Sequence, residues 1–198
     1  AGIPATLFRM GGHPIIESLA KDAALPLLTI DRALPDTLFR MNAEGALNGH
    51  VPITGFLSCV GVVVSILKGH DALVLSNERS ASEGNTLYLG TEINHQWSKS
   101  TEFEAAFAKY LEKYVTSDVA VFSLLRPLSE LKIAQLCAAF PQYLPIVTSC
   151  NANWKILKEK GSKKWCGVCP KCAFSFALFS AFLDRRELVR MFGSVLFE

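Results

Sequence analysis

The sequence predicts an α/β domain in three layers, with a parallel sheet between helices and a metal-binding segment near the C-terminal end. Three observations favour this fold class. Short apolar runs alternate with segments of helical periodicity along most of the chain. One apolar helix is followed by a glycine and then by an apolar strand, which is half of a β–α–β unit. Four cysteines near the C-terminal end have the spacing of a metal site.

The composition is that of a globular protein with a sizeable hydrophobic core. The chain has 198 residues, of which 50% are hydrophobic and 19% are charged. A disordered chain lacks the apolar residues for a core, so this composition excludes one. The net charge of +2 neither indicates nor excludes a nucleic-acid partner. The length suits one domain, or one domain with a small appendage.

Four short apolar runs are predicted to form the parallel sheet: residues 5–10, 26–30, 71–76 and 119–125. The third run, DALVLS, is apolar almost throughout, as strands of a parallel sheet are when both of their faces are buried. A further short strand is predicted at residues 143–148, where it leads into the first of the clustered cysteines.

Five segments are predicted to be helical, residues 13–23, 53–68, 101–115, 131–140 and 170–183, and residues 184–198 are predicted to be a closing helix and tail. The second lies in the longest uncharged run, residues 51–67. A membrane span needs about 20 apolar residues, and this run is shorter and contains glycines, serines and a proline. We therefore expect a buried crossover helix, with Pro52 in its first turn and Gly69 at its C-cap. Residues 31–48 are predicted to be a loop with a possible helical turn.

The clustered cysteines are predicted to bind one structural zinc ion through Cys150, Cys166, Cys169 and Cys172. Two residues between ligands allow one turn to present both sulfur atoms, as zinc sites require. Gly167 permits the tight backbone between two of the ligands, and Pro170 starts the helix that follows. Five nearby lysines would offset the thiolate charge: Lys155, Lys158, Lys160, Lys163 and Lys164. An iron–sulfur cluster is the principal alternative, and free thiols or disulfides are the other.

The two remaining cysteines indicate the compartment. Cys59 and Cys137 lie in apolar runs, where a free thiol behaves as a small hydrophobic side chain. Unpaired apolar cysteines beside a metal-like cluster are typical of a reducing environment, so we expect a cytoplasmic protein.

A long polar segment, residues 77–100, follows the third predicted strand. Open α/β sheets bind their ligands at the carboxyl ends of the strands, which makes this segment a candidate binding loop. It offers carboxylates for proton transfer, Arg79 for an anion and Trp97 as an aromatic face. The alternative is a solvated surface loop.

A second polar cluster, Asn48, Gly49 and His50, precedes the apolar helix. The free N–H groups of a helix N-terminus favour anions, so this cluster is a candidate anion site. The alternative is that His50 caps or packs against the helix. His13 and His70 are expected to be ordinary loop residues.

Five stretches of the sequence together resemble one family: NGHVPIT (48–54), LVLSNERSASEGN (73–85), NHQWSKSTEFE (94–104), the pair Ser149 and Cys150, and CGVCPKC (166–172). It is the ATP-dependent epimerase family that acts on UDP-N-acetylmuramoyl-L-alanyl-L-glutamate in bacterial peptidoglycan synthesis. That family is similar to the 7-cyano-7-deazaguanine synthases, which have the PP-loop, or adenine-nucleotide α-hydrolase, fold. Those synthases take their zinc ligands from a similar serine–cysteine pair and CGxCxxC motif. Their loop after the central strand differs from SNERSASEGN, which argues against the same substrate.

The resemblance implies a reaction that requires ATP and Mg²⁺. ATP adenylates the α-carboxylate of the terminal L-glutamate, which makes the Cα proton more acidic. A base then removes this proton, reprotonation from the other face inverts the centre, and hydrolysis releases the D-glutamyl product. Inversion needs two acid–base groups or one mobile group, and the candidates are Glu78, Glu83 and His95.

The resemblance also implies the residues that bind the substrates. The candidates for the UDP-linked muramoyl dipeptide are Asn48, His50, Asn77, Arg79, Ser80, Ser82, Asn85, Trp97 and Lys99. In PP-loop folds the edge of the second strand contacts adenine, so Phe8 and Met10 are the candidates for ATP. We expect no nucleic-acid or membrane partner, and the oligomeric state stays open.

One departure from the PP-loop pattern bears on the domain organisation. The nucleotide motif of that fold, Ser-Gly-Gly-x-Asp-Ser, is not in this sequence. In relatives it precedes the strand that here is residues 5–10. We therefore expect residues 1–147 to be a partial domain without the first strand and the motif, and residues 148–198 to be a zinc-binding segment packed on it. Two alternatives remain: another PP-loop ATP-dependent ligase or amidotransferase, such as an enzyme like the 7-cyano-7-deazaguanine synthases, and an inactive zinc-binding module.

Overall fold

A computed structural model describes residues 2–47, 51–154 and 164–197. The described residues form a mixed α/β structure with short strands, most of them parallel. In chain order the elements are β1 Leu7–Met10, α1 Pro14–Asp22, β2 Leu27–Ile30, α2 Asp36–Ala43, α3 Ile53–Lys68, β3 Ala72–Leu75, β4 Thr86–Tyr88, β5 Thr91–Ile93, α4 Thr101–Tyr114, β6 Ala120–Ser123, α5 Glu130–Ala138, α6 Pro170–Phe179 and α7 Arg185–Phe192. The chain divides into two compact units, which are described separately: the first unit is residues 1–31 with 130–198, and the second unit is residues 32–129.

The second unit is built on the parallel pair β3–β6. Leu73 pairs with Val121 and Val74 with Phe122. Since successive side chains of a strand point to opposite faces, Leu73 and Val121 share one face of the pair. These two residues are buried with Val62 of α3 and Leu111 of α4, so the two helices cover that face.

Helix α3 approaches the sheet closely because small residues lie on its buried face. A Cβ atom at Gly61 would lie 2.8 Å from both Cδ atoms of Leu73, and one at Gly55 would lie 3.2 Å from the ring of Phe103. The helix ends at Gly69, whose φ of 68° is left-handed, as predicted for a C-cap. Among the residues that the structure describes, none of the helices is both long enough and apolar enough to cross a bilayer.

Two predictions for the second unit are wrong in part. Strand β3 is not buried on both faces, because Val74 is 51% exposed and its neighbour Phe122 is 41% exposed. Helix α3 is likewise buried on one face only, and Phe56 and Val63 on its other face are about half exposed. Both errors have one cause: in this unit, the helices cover only one face of β3–β6.

The first unit contains the parallel pair β1–β2, in which Leu7 pairs with Leu27 and Met10 with Ile30. Its main core lies among α5, α6 and α7. Trp165, Phe176 and Phe192 pack there, with ring centroids 4.5 and 5.2 Å apart for the pairs that involve Phe192. The side chain of Asp184 accepts the N–H of Glu187, and the Glu187 side chain accepts the N–H of Asp184, so a capping box starts α7.

The four predicted strands of the parallel sheet all form, but not in one four-stranded sheet. The structure pairs them as two separate two-stranded sheets, β1–β2 and β3–β6. Residues 143–148 do not form the predicted strand: residues 143–146 are turns, in which Tyr143 O accepts the N–H groups of Ile146 and Val147, and residues 147–148 are irregular. The region predicted to be mostly loop at residues 31–48 contains helix α2, of eight residues.

The polar segment at residues 77–100 is more regular than predicted. It contains the hairpin β4–β5, flanked by two short 3₁₀ turns, Arg79–Ser82 and Trp97–Lys99. The hairpin turn places Leu89 at φ 49° and Gly90 at φ 78°. Two consecutive positive φ angles define the turn that suits a two-residue hairpin, but asparagine or aspartate usually occupies its first position. Because Leu89 occupies this first position, the sequence did not indicate the hairpin turn.

Candidate functional site

The four predicted metal ligands lie together in the first unit. The Sγ atoms of Cys150, Cys166, Cys169 and Cys172 are all within 4.8 Å of one another. Cys172 Sγ lies 3.5 Å from Cys169 Sγ and 3.8 Å from Cys166 Sγ. A disulfide has an S–S bond of about 2.05 Å, so these are free thiols, whereas a tetrahedron of Zn–S bonds of about 2.3 Å places sulfurs about 3.8 Å apart. The geometry and the donor set fit zinc.

The local backbone explains how the sulfur atoms converge. Gly167 has a φ of 77°, and this left-handed residue turns the chain between Cys166 and Cys169. Cys169 is the N-cap of α6, and Cys172 lies in its first turn. The backbone N–H of Cys166 donates to Cys150 Sγ at 3.4 Å, so the chain on either side of the cluster is joined at this sulfur.

The thiols of the cluster differ in acidity. Burial raises the pKa of Cys172 to about 12. Burial also raises the pKa of Cys169, but hydrogen bonds from the backbone of Cys172 and Asn151 and from the thiols of Cys172 and Cys166 together outweigh burial and bring it to about 6. A backbone hydrogen bond from Val168 lowers the pKa of Cys166. Binding a cation here therefore requires the loss of at least the Cys172 proton.

A buried asparagine supports the segment that carries Cys150. Asn153 is 1% exposed, and its Nδ2 donates to Lys164 O at 2.7 Å. The backbone carbonyl of Asn153 accepts a hydrogen bond from His13 Nε2 at 2.9 Å, while His13 Nδ1 accepts one from the backbone N–H of Ile15 at 3.2 Å. These contacts assign the proton of the ring to Nε2. His13 is thus the N-cap of α1 and not the ordinary loop residue that was expected.

The two cysteines outside the cluster and the lysines near it differ from one another in burial and in contacts. Cys137 is half-buried, and burial raises the pKa of its thiol, whereas Cys59 is exposed. Lys164 Nζ contacts Pro145 O. Lys155, Lys158, Lys160 and Lys163 lie outside the described residues.

In the second unit, hydrogen bonds join two polar loops, residues 77–85 (the first polar loop) and residues 94–100 (the second polar loop). Asn94 Nδ2 donates to Ala81 O at 2.9 Å, and the backbone N–H of His95 donates to Asn85 Oδ1 at 3.0 Å. The N–H of Thr101, directly after the second loop, donates to Ser82 Oγ at 3.1 Å. The structure therefore brings together the two motifs from which the acid–base residues were predicted.

A cavity of about 160 Å³ lies where the second polar loop meets the start of α3. Its lining is residues 51–54 and residues 95–99, so His95, Trp97 and Lys99 share one cavity. Trp97 Nε1 donates to Glu102 Oε2 at 2.9 Å, and its ring packs edge-on against Phe103, which fixes the indole. Asn48 and His50, predicted for the same site, lie outside the described residues.

The first polar loop places its predicted residues differently. Glu83 and Arg79 are exposed, and Glu78 and Ser80 are half-buried. Asn77 is 8% exposed, and its Nδ2 donates to Ser123 Oγ at 3.0 Å. None of the residues of the first polar loop lines the cavity, so their roles stay predictions.

Three side chains behind the polar loops were not among the residues predicted from the sequence: Glu104, Ser123 and Arg126. Arg126 Nη1 donates to Glu78 O at 3.0 Å, and Arg126 Nη2 donates to Lys99 O at 2.8 Å. Arg126 Nη2 also lies 3.2 Å from Glu104 Oε2, which accepts a hydrogen bond from Ser123 Oγ. One signal could have found Arg126: it follows the carboxyl end of a parallel strand, as ligand-binding residues of open sheets do.

Phe8 and Met10 lie on β1 in the first unit, where both are half-buried and pair with Leu28 and Ile30 of β2. Their predicted contact with ATP stays a prediction.

Comparison with known proteins decides the family. Residues 1–124 match the MurL N-terminal domain, and residues 146–198 match the MurL C-terminal domain. The chain belongs to the MurL family. This confirms the family resemblance that the sequence motifs indicated, whereas the PP-loop relationship and the predicted division at residue 147 stay predictions. No solved structure matches the chain.

Curated MurL relatives carry a common name. Three proteins, each named UDP-N-acetyl-alpha-D-muramoyl-L-alanyl-L-glutamate epimerase, come from Xanthomonas oryzae pv. oryzae, Salinispora tropica and a Micromonospora species. They are 44%, 42% and 40% identical to this chain over 97–98% of its residues. The chain spans 42–43% of the length of these relatives.

Proposed function

We propose that this protein acts in the inversion of the terminal L-glutamate of UDP-N-acetylmuramoyl-L-alanyl-L-glutamate to D-glutamate, a step of peptidoglycan precursor synthesis. The observation that carries the proposal is that three relatives with that name are 40–44% identical over nearly the whole chain. Their names support this reading over a PP-loop ligase, an amidotransferase or an inactive zinc module. On this proposal the protein is a cytoplasmic isomerase.

Inversion of the glutamate requires an activated α-carboxylate and proton transfer at Cα. ATP, with Mg²⁺, would supply the activation by forming an acyl-adenylate at the glutamate α-carboxylate. The protein then removes the Cα proton on one face and delivers a proton on the other. His95 lines the cavity at the start of α3, and Glu78 lies in the adjoining polar loop, so both are candidates for these steps. Glu83 is the third candidate.

The remaining predicted residues serve binding in this proposal. Lys99 lines the cavity and supplies a positive charge for a carboxylate or phosphate, and Trp97 offers a fixed aromatic face. Arg79 is the other cation for an anionic group of the substrate. Phe8 and Met10 would contact ATP if the chain has the PP-loop fold, which we propose together with a zinc-binding segment at residues 148–198.

The metal has a structural role in this proposal. Cys150, Cys166, Cys169 and Cys172 would hold zinc, which supplies four strong bonds to the segment whose hydrophobic core packs around them. Four protein ligands complete a tetrahedron and leave no open position for a substrate. The cysteine cluster therefore stabilises the first unit and takes no part in proton transfer.

Single substitutions in the full-length protein test the proposal: Glu78→Gln, Glu83→Gln and His95→Asn. Two partial reactions are measured, ATP-dependent pyrophosphate release and solvent deuterium exchange at the glutamyl Cα. Loss of a base should reduce the exchange by about 10²-fold or more while pyrophosphate release continues. The matched control is Glu44→Gln, because Glu44 is exposed and pairs with Arg40 at 3.8 Å on α2.

The wild-type protein decides the function itself. If it shows no ATP-dependent exchange and no inversion of the glutamyl centre, the proposed function is wrong. If it is active and all three variants keep wild-type exchange, the acid–base group lies elsewhere and the two polar loops are a solvated surface.

A further inference from the structure

Arg126 connects the two polar loops, although it belongs to neither. It lies in the turn after β6, and its side chain is 16% exposed. One terminal nitrogen donates to Glu78 O in the first polar loop at 3.0 Å. The other donates to Lys99 O in the second polar loop at 2.8 Å. A single guanidinium group thus sets the distance between two backbone positions that are far apart in sequence.

The charge of Arg126 is balanced by Glu104 of helix α4. Glu104 Oε2 lies 3.2 Å from Arg126 Nη2, and the Glu104 side chain is 17% exposed. The same carboxylate oxygen accepts a hydrogen bond from Ser123 Oγ, and Ser123 Oγ accepts one from Asn77 Nδ2. Glu104 is therefore held by the end of β6, and it holds the guanidinium in turn.

This arrangement needs arginine. The guanidinium group is planar and rigid, and it presents its donors in a fork that reaches several acceptors at once. A lysine ammonium is a point charge on a flexible stem and does not reproduce that fork. Arg126 does not line the cavity, so it acts through the loops rather than on a bound molecule.

We propose that Arg126 is a positioning residue for the epimerisation step, because it fixes the spacing of the two loops that carry the acid–base candidates. This inference rests on the proposed function. Proton transfer depends steeply on distance, and a misplacement of about 1 Å can reduce a rate about 10²-fold. Formation of the acyl-adenylate does not use the acid–base candidates, so at saturating concentrations of the dipeptide substrate its rate should be much less sensitive to the spacing.

The test compares Arg126→Lys with Arg40→Lys in the full-length protein. Arg40 pairs with Glu44 at the surface of α2, so the control makes the same substitution in an exposed ion pair. In Arg126→Lys we expect kcat for deuterium exchange at Cα to fall about 10- to 100-fold. Pyrophosphate release and the KM for ATP should stay within about twofold of wild type, and Arg40→Lys should change neither reaction.

A second variant applies if Arg126→Lys does not fold. Glu104→Gln keeps the shape of the side chain but removes the charge that holds the guanidinium, and we expect about a tenfold loss of exchange with unchanged pyrophosphate release. Amide hydrogen exchange of β3 and β6 reports whether the second unit is intact.

The outcomes separate this inference from the proposed function. If the wild-type protein shows no exchange, the proposed function and this inference fail together. If the wild-type protein is active and both variants keep wild-type exchange, or lose both partial reactions by the same factor, Arg126 is not a positioning residue and the proposed function stands.

Discussion

The residues of the cysteine cluster and the residues of the two polar loops are held together by different kinds of contact. In the cluster, four sulfur atoms lie within 4.8 Å of one another, and Cys150 and Cys172 are fully buried. The polar loops are joined by hydrogen bonds, and the charge of Arg126 that bridges them remains partly in contact with water. A metal bound by four thiolates can supply about 10 kcal/mol or more, whereas one hydrogen bond contributes about 1 kcal/mol.

Because of this difference, changes in the cysteine cluster should affect the stability of the fold, whereas changes in the polar loops should affect the proposed proton transfer. Removing a ligand from the cluster should affect folding first, because the core of the first unit packs directly on the cysteines. Removing a contact between the polar loops should leave the second unit folded, because its core of Val62, Leu73, Leu111 and Val121 lies elsewhere. Changes there should alter loop geometry, and therefore the proposed proton transfer, before they alter stability.

The largest expected effect comes from a ligand of the cluster. Cys172→Ser removes one sulfur ligand, from a residue that is itself fully buried. We expect loss of the single bound zinc and a decrease of more than about 4 kcal/mol in the free energy of unfolding, since loss of a metal is among the most damaging single changes. Elemental analysis and denaturant unfolding measure the two results.

Cys59→Ser is the matched control, because Cys59 is exposed on α3. It should keep the zinc and change stability by less than about 0.5 kcal/mol. Iron in the purified protein would support the cluster alternative, and a metal-free protein of full stability would contradict the structural role.

The contrast between the two regions also explains what the sequence could predict. The cysteine ligands could be identified because three of them lie within seven residues and local turns at Gly167 and Pro170 bring their sulfurs together. The four parallel strands and the C-cap at Gly69 could be predicted for the same reason: apolar runs and glycines act locally.

The polar loops depend on contacts that sequence patterns do not reveal. Arg126 is 48 residues from Glu78, 27 from Lys99 and 22 from Glu104. The motifs predicted that the loops matter, but only the fold brings this arginine behind them. Pairing of strands is also non-local, which is why the four-stranded sheet was predicted and two separate pairs are observed.

The next effect concerns the acidity of the cluster. With a pKa of about 12, Cys172 is protonated at pH 7 and must lose its proton to bind zinc, whereas Cys169, with a pKa of about 6, is already a thiolate. Each proton released changes the apparent affinity about tenfold per pH unit. We therefore expect zinc affinity to rise at least about tenfold from pH 7 to pH 8. Competition with a chromophoric chelator measures it, and a flat profile would contradict it.

The smallest expected effect is at the end of the second polar loop. Ser100 is the N-cap of α4, is 4% exposed, and accepts the N–H of Phe103 at 3.1 Å. Ser100→Ala removes this acceptor and should decrease the free energy of unfolding by about 1 kcal/mol, the usual value of an N-cap. The backbone bond from Ser100 N to Trp97 O does not involve the side chain, so the loop should keep its conformation.

Ser18→Ala is the control, since Ser18 is an exposed residue within α1 and its removal should change stability by less than about 0.5 kcal/mol. Zinc content should be unchanged in both variants, and deuterium exchange at Cα should stay within about twofold of wild type. A loss of zinc from Ser100→Ala would show that the loops and the cysteine cluster do not contribute separately. A loss of exchange as large as that of Arg126→Lys would show that any weakening of the second polar loop, and not the guanidinium bridge in particular, stops proton transfer.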